Sequence, residues 1–344
     1  MQKPKATIFN VAALAGVSIK TVSRVVNNEP NVSDKTRDKV LKAIESLNYQ
    51  PSAAARILSG KKSYGIGLVY ENPHEFSYVG GVLNGALKAC EDEGFTLLLR
   101  PLTLPDPNIA ETVTQFVLQT RVDGLLLPAP LSDMKDVLDV LREQSVPFAL
   151  MAPTTPVEDA INIICEEEEA SFQLTLHLLE LGHRRLGFIK GHPDHGDSEK
   201  RFSGYCRALE ASGIALDQSF VRQGYFDFES GRRAAAELLQ FEIRPTVIIA
   251  SNDDMAAGAL FEVREQGLSV PSDMSLVGFD DTPLASHLWP PMTTVRQPIV
   301  EMADAAVRAL IRTISGEELT NRTTDFNCEV ILRQSTAPPL DSGI

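Results

Sequence analysis

The chain has 344 residues, 43% hydrophobic and 23% charged, which excludes a disordered or fibrous protein and leaves room for two or three packed domains. Its formal net charge of −14 is unevenly spread: residues 1–63 hold 11 Lys+Arg against 4 Asp+Glu, and residues 64–344 hold 21 against 42. A basic head on an acidic body suits a phosphate-binding module joined to one that repels nucleic acid.

The opening MQKPKATIF has no apolar h-region, and no stretch approaches eighteen uninterrupted apolar residues. Neither a signal peptide nor a membrane span is expected, and a cytoplasmic location is. Cys90, Cys165, Cys206 and Cys328 are far apart and form no metal spacing, so they read as buried thiols in a reducing compartment. No cofactor is expected.

In chain order, Ile8, Val11, Ala12 and Ala15 set an apolar stripe on a first helix, with Thr7 before it as N-cap. Gly16 can close a sharp turn. Ser18 can cap a second helix, on which Val22, Val25 and Val26 face inward. Ile19, Lys20, Ser23, Arg24 and Asn27 fall on the other face. Two helices braced across a glycine turn, the second showing Lys, Ser, Arg and Asn, read as a helix-turn-helix. Its second helix can lie in the major groove of DNA. A plain helical subdomain with a solvated face would look similar, and the local charge favours DNA. Residues 33–48 form a third helix with Val40, Ile44 and Leu47 inward and Ser33 as cap. Thr36 and Arg37 on its first turn are within reach of a phosphate, or serve as cap and solvated charge.

Residues 12–27 and 32–56, AxxAGVSxxTVSRVxN and VSxxTRxxVxxAIxxLxYxPxxxAR, closely resemble the signature of the LacI/GalR (lac repressor-like) transcription regulators. Asn10 departs from the usual Asp. The candidate DNA contacts are Thr7, Ser18, Ile19, Lys20, Thr21, Ser23, Arg24, Asn27, Ser33 and Thr36, with Ala55 and Leu58 in the linker. Ile19 and Lys20 stand at variable reading positions. Residues 51–60 read as a short helix between Pro51 and Gly60, too short to persist alone in water and expected to form on DNA. The resemblance implies a hinge helix that pairs with its dimer mate and wedges a leucine, here Leu58, into the minor groove. Packing onto the body is the alternative.

From residue 64 short apolar runs alternate with amphipathic stretches. Strands are predicted at 64–70, 95–99, 124–127 and 147–150, and helices at 79–93, 109–120 and 133–145. The pattern then repeats, with strands at 161–164, 186–189, 220–223, 247–250 and 275–278. Helices follow at 167–181, 199–212, 230–239 and 253–266. This alternation predicts two doubly wound parallel-sheet lobes, an α/β body behind a small all-α head. The resemblance implies a body of periplasmic-binding-protein type with crossovers near residues 164, 288 and 321. The expected organisation is a DNA-binding head over 1–50, a hinge over 51–63 and an effector-binding and dimerisation body over 64–344. Lobe 1 is expected at about 64–162 and 293–321, and lobe 2 at about 163–292 and 322–344.

Ligands of doubly wound sheets collect beyond the carboxyl ends of the strands. Polar and aromatic residues gather there, the mixture that a sugar needs. By family match Arg201, Asn252 and Asp280 are the leading effector contacts, with Phe226 as an aromatic wall and Ser77 and Tyr78 from the first lobe. Asn252 could instead cap a helix, Asp280 shape a turn, and Arg201 pair with a surface carboxylate. Met151-Ala152-Pro153 and Glu166-Glu167 stand where relatives carry other polar contacts. Gly65-Ile66-Gly67 is no dinucleotide fingerprint, and His192 and His195 in one loop are weak grounds for a metal.

The implied function is a DNA-binding regulator, expected to be a repressor of carbohydrate catabolism genes. It would be a homodimer on a pseudopalindromic operator, released by a small sugar-type effector bound between the lobes. A sugar-binding protein without a DNA role is the alternative. An enzyme on this scaffold is disfavoured, since no nucleophile–base pair is visible. The tail STAPPLDSGI carries no leucine heptad, so no tetramer is expected.

Overall fold

In the computed structural model, which describes residues 6–26, 32–47, 49, 62–71 and 77–340, the chain falls into two units, Met1–Tyr64 and Gly65–Ile344. Helix α1 (Ile8–Ala15) opens on a reciprocal cap. The Asn10 N–H donates to Thr7 Oγ1 at 3.4 Å, and the Thr7 N–H donates to Asn10 Oδ1 at 2.8 Å. The carboxamide of Asn10 thus fills the capping role open to an aspartate there. Gly16 ends α1 in the left-handed region, φ 66, where a side chain would be strained. Helices α2 (Ile19–Val26) and α3 (Asp34–Leu47) open alike: Ser18 Oγ accepts from the Thr21 N–H at 3.1 Å, and Ser33 Oγ from the Thr36 N–H at 3.4 Å. Helices α1 and α2 meet at 105°, the angle of a helix-turn-helix. Their core is Val11, Val22 and Val40, with Ala12, Val25, Ala43 and Tyr49 around them. Asn27 and the expected linker helix, with Ala55 and Leu58, lie outside the described residues.

The second unit holds two parallel sheets. The first has the order β11-β5-β4-β3-β1-β2, from β1 (Gly65–Glu71), β2 (Thr96–Leu102), β3 (Gly124–Pro128), β4 (Phe148–Met151), β5 (Ile161–Cys165) and β11 (Thr323–Phe326). Helices α4 (Ser77–Glu93) and α12 (Ile299–Ile314) cover one face, around Val82, Ala86, Ala303 and Val307. Helices α5 (Ile109–Thr120) and α6 (Lys135–Glu143) cover the other, around Val113, Phe116 and Leu141. The near-continuous apolar runs of β1 and β3 follow from burial on both faces.

The second sheet has the order β7-β6-β8-β9, from β6 (Leu186–Lys190), β7 (Val221–Gln223), β8 (Val247–Ala250) and β9 (Ser275–Val277). Helices α7 (Glu167–Glu180) and α8 (Gly196–Ala211) pack on one face through Leu174, Leu178 and Tyr205. Helices α9 (Phe228–Leu239) and α10 (Asp253–Glu265) pack on the other through Ala235, Leu238, Met255 and Ala259. A short α11 (Pro283–His287) follows β9. A ribbon of β10 (Thr294–Arg296) and β12 (Glu329–Ile331), paired antiparallel, lies between the lobes' connections.

The lobe limits differ from those expected. Residues 163–165 complete β5, whose partners are β4 and β11, so the first lobe runs to Cys165. Residues 323–326, expected in lobe 2, are the outer strand of the first sheet. Residues 293–296, expected in lobe 1, bridge to Val277 and Asp280 of the second, so the return begins with α12. The chain therefore crosses between lobes at 165–167, 296–299 and 326–329. The short strands TTDF and TVR have too few apolar residues to announce a sheet, since β11 is half solvent-exposed at an edge.

Helices α7 and α8 touch closely because α8 carries Gly204, where a Cβ would stand 2.1 Å from the Glu168 carbonyl oxygen. A Gly204→Ala substitution is expected to force these helices apart and cost about 1–3 kcal/mol in denaturant unfolding. An unchanged midpoint would show that the contact is slack.

Candidate functional site

The carboxyl ends of both sheets meet around a cavity of about 220 Å³. The first lobe brings Glu71 at the end of β1, and Tyr78 and Val79 at the start of α4. It adds Thr103 and Leu104 after β2 and Ala129 after β3. The second brings His192 and His195 after β6, Tyr225 to Asp227 after β7, Asn252 and Asp254 after β8, and Asp280 after β9. Arg201 joins them from α8. The strand orders place the cavity at the switch points, where adjacent crossovers diverge and leave a crevice.

Arg201 is the buried centre of this region, 4% exposed. Its Nη2 donates to Glu167 Oε1 at 2.8 Å and lies 3.4 Å from Asp280 Oδ1, and its Nη1 donates to the Ser251 carbonyl. The guanidinium stacks over Phe279, 4.0 Å from the ring centroid. Burial alone would favour loss of its proton, but Glu167, Asp280 and Asp197 hold it charged. Asp280 also accepts from Gln297 Nε2 at 2.7 Å, and its backbone is left-handed, φ 105. Burial pushes the Asp280 carboxyl up to about 7 against the pull of Arg201. Asp197 is pushed well above the carboxylate range, by burial first and by neighbouring Glu167 second.

The expected effector residues thus gather in one place, with different employments. Asn252 caps α10, its Oδ1 accepting from the Met255 N–H at 2.9 Å, and its amide donates to the Phe226 carbonyl at 2.8 Å. Phe226 sits at φ 63 with its ring pressed over Gly191, where a Cβ would fall 2.0 Å from the ring. Ser77 donates across the lobes to Asp254 Oδ1 at 3.0 Å. Tyr78 lines the cavity, and its buried hydroxyl has no hydrogen-bond partner among the described residues. Met151 is fully buried in the first lobe's core. Sequence alone does not single out Glu167, Asp197 or Asp254. The acidic run 166–169 reads as a favourable helix start, and only the departure at Glu166-Glu167 marked the place. His195 Nε2 lies 3.5 Å from Glu71 Oε2, joining the lobes at the cavity mouth.

In the head, Ile19 is 41% exposed and Lys20 is exposed, while Thr21, Ser23 and Arg24 are half-buried. Thr7, Ser18 and Ser33 are all helix caps, and the latter two share hydrogen bonds of 2.9 Å with the hydroxyls of Thr21 and Thr36.

Residues 7–52 match the model for bacterial regulatory proteins of the lacI family, and residues 175–336 that for a periplasmic binding protein-like domain. The HTH-type transcriptional regulator DegA of Bacillus subtilis is 33% identical over 339 residues, 97% of this chain and 99% of that protein. The chain belongs to the LacI family. The PurR repressor of Vibrio atlanticus is 32% identical over 96% of this chain and 98% of its own length. The lac repressor dimer bound to operator and the anti-inducer ONPF superposes with a TM-score of 0.77 at 29% identity, covering 97% of this chain and all of that one. A complex of the transcriptional regulator CelR with cellobiose gives 0.74 at 32% identity, covering 96% and 99%. As a LacI-family member the protein is a DNA-binding transcriptional regulator that answers a small molecule, and not an enzyme.

Beside the cavity Asp253 accepts from the Thr294 hydroxyl at 2.7 Å and from Thr282 N–H and Oγ1 at 2.7 and 3.0 Å, yet burial still pushes it up to about 7. For Asp253 and Asp280 the folded pKa exceeds the unfolded value of about 3.9, so folding takes up protons between those limits. Their contribution to stability is complete below about pH 4 and is lost as pH rises through about 7. The melting temperature is therefore expected to fall from about pH 5 to about pH 8, less steeply in Asp253→Asn. A melting profile that is flat or rises over this range contradicts it.

Proposed function

We propose that the protein is a repressor of carbohydrate catabolism genes, acting as a homodimer on a pseudopalindromic operator from which a sugar-type effector releases it. The observation that carries this is the joining, in one LacI-family chain, of a helix-turn-helix head to a two-lobed cleft lined by carboxyls, amides and rings. In this reading α2 of each protomer enters the major groove. Ile19 and Lys20 face base edges there, and Thr21, Ser23, Arg24 and Asn27 hold the helix in register. The amino ends of α1, α2 and α3, with Thr7, Ser18, Ser33 and Thr36, lie on phosphates, which exposed helix N-termini attract. Ala55 and Leu58 act at the centre of the site, Leu58 as a minor-groove wedge. Two such heads read half-sites one helical turn or a multiple apart, so operator symmetry mirrors protein symmetry.

The effector contacts in this reading are Ser77, Tyr78, Arg201, Phe226, Asn252 and Asp280. Effector binding changes the lobe geometry and lowers operator affinity, and by linkage the operator lowers effector affinity by the same factor. The protein acts in the cytoplasm, on the nucleoid when bound.

Two measurements test the proposal. Affinity for duplexes selected from random DNA, followed by anisotropy, should fall steeply with salt, and Lys20→Ala or Arg24→Ala should weaken it. A lost phosphate contact lowers the log–log salt slope by about 0.9. Salt-independent binding contradicts a DNA-binding role. For the cleft, Tyr78→Phe removes only an unpartnered hydroxyl, so it should weaken an effector about tenfold in calorimetry without lowering stability. Arg201→Ala is the poorer test. It strands Glu167 and Asp280 in the interior at a cost of about 3–5 kcal/mol.

A further inference from the structure

The cleft is rich in carboxyls and has one guanidinium. Glu71, Asp197, Asp227, Asp254 and Asp280 line it, with Glu167 immediately behind Arg201. Arg201 is already answered by Glu167, by Asp280 and by the Ser251 carbonyl. The nearby lysines are turned to other work. Lys190 pairs with Glu199 at 2.8 Å, and Lys200 donates to the Pro153 carbonyl at 3.0 Å. No unneutralised cation faces the cavity among the described residues.

Helix amino ends are the other usual seat for an anion. Helices α4, α8, α9 and α10 all begin at the cleft, and each end is met by the chain's own acid or amide. Ser77 of α4 binds Asp254. Asp197 and Glu199 lie in the first turn of α8. Asp227 caps α9, accepting from the Ser230 N–H at 2.7 Å, and Asn252 caps α10. At α9 and α10 the amides that a phosphate would take are already met by Asp227 and Asn252, and at α4 and α8 acidic side chains stand beside the helix start.

Among the described residues three polar atoms at the cavity have no ordinary donor or acceptor opposite them: Tyr78 Oη, Arg201 Nε and Asp197 Oδ1, the Asp197 carboxyl standing against Glu167. Asp197 is 8% exposed, and its Oδ1 is 4.0 Å from the nearest cation, Lys200 Nζ. Around them the rings of His192 and Tyr225, 5.6 Å apart, and of His195 and Phe226, 5.4 Å apart, give flat apolar walls. A ligand that satisfies this set is a ring with hydroxyls that both donate and accept, and no negative charge.

Resting on the cleft being the effector site, we propose that this regulator takes an uncharged, hydroxyl-rich ring as its effector and excludes phosphorylated and carboxylated forms of the same ring. The selectivity is electrostatic, set at the cavity mouth by Glu71 and Asp254, while Asp197 and Asp280 deeper in the cleft serve as hydrogen-bonding groups.

The test is calorimetry on the full-length protein with matched sets: neutral mono- and disaccharides, their phosphate esters and their uronic acids. Binding should be confined to neutral members, with the charged forms weaker by about a hundredfold or more. The double variant Glu71→Gln/Asp254→Asn should narrow that gap by about tenfold. A phosphate ester or uronic acid that binds as well as its neutral parent overturns the proposal and leaves the sugar-effector reading standing. No binding by any member overturns both. An unchanged gap in the double variant overturns the electrostatic account.

Discussion

The body is organised around one buried charge. A guanidinium taken out of water without partners is prohibitively unstable, so the chain must deliver acceptors to Arg201 or fail to fold there. It does so from three directions: Glu167 from the start of α7, Asp280 from beyond β9, and the Ser251 carbonyl from the end of β8. Each supplier is held in turn. Gly204 lets α7 and α8 approach, Gln297 fixes Asp280, and Ser171 Oγ donates to the Arg201 carbonyl at 2.6 Å. Replacing such a cluster by apolar packing often stabilises a protein, so its retention points to use rather than to stability.

That use is visible in how the polar groups share duties. Asn252 is both a helix cap and the anchor of Phe226, so one side chain sets the start of α10 and the position of an aromatic wall. Phe226 itself is held at a positive φ over Gly191. Asp280, also at a positive φ, lines the same cavity, where geometry is kept for binding. The first lobe contributes less: Tyr78, Ser77 and Glu71, the last two of which reach the second lobe through Asp254 and His195.

Much of this was legible in the sequence because its signals are local. The capped helices of the head, the turn at Gly16 and the alternation of apolar runs with amphipathic stretches depend on neighbours along the chain. The cluster of Arg201, Asn252 and Asp280 followed from the family resemblance and the rule of strand ends. What was hidden depends on distant pairing. Strand β11 is polar and marginal until β5 lies beside it, and residues 163–165 read as the opening of a new lobe because nothing local assigns them to a sheet. Glu167 looked like one more acid at a helix start, where its charge is favourable anyway. Only the arrival of Arg201, 34 residues later, makes it a buried ion partner. In the sequence Asn252 suits both a ligand contact and a helix cap, and the cap is what its hydrogen bonds describe.

The three crossings between the lobes have a mechanical consequence. Strand β5 leads into α7 and lies hydrogen-bonded along β11, while β11 runs on into β12, which is paired with β10. Connections tied side by side in this way act together rather than as three independent tethers. What stays soft is a rotation about the line of the straps. Relative motion of the lobes is thereby steered towards a change of angle. A ligand that prefers one angle therefore works against a single stiffness rather than dissipating its binding energy over many loose coordinates.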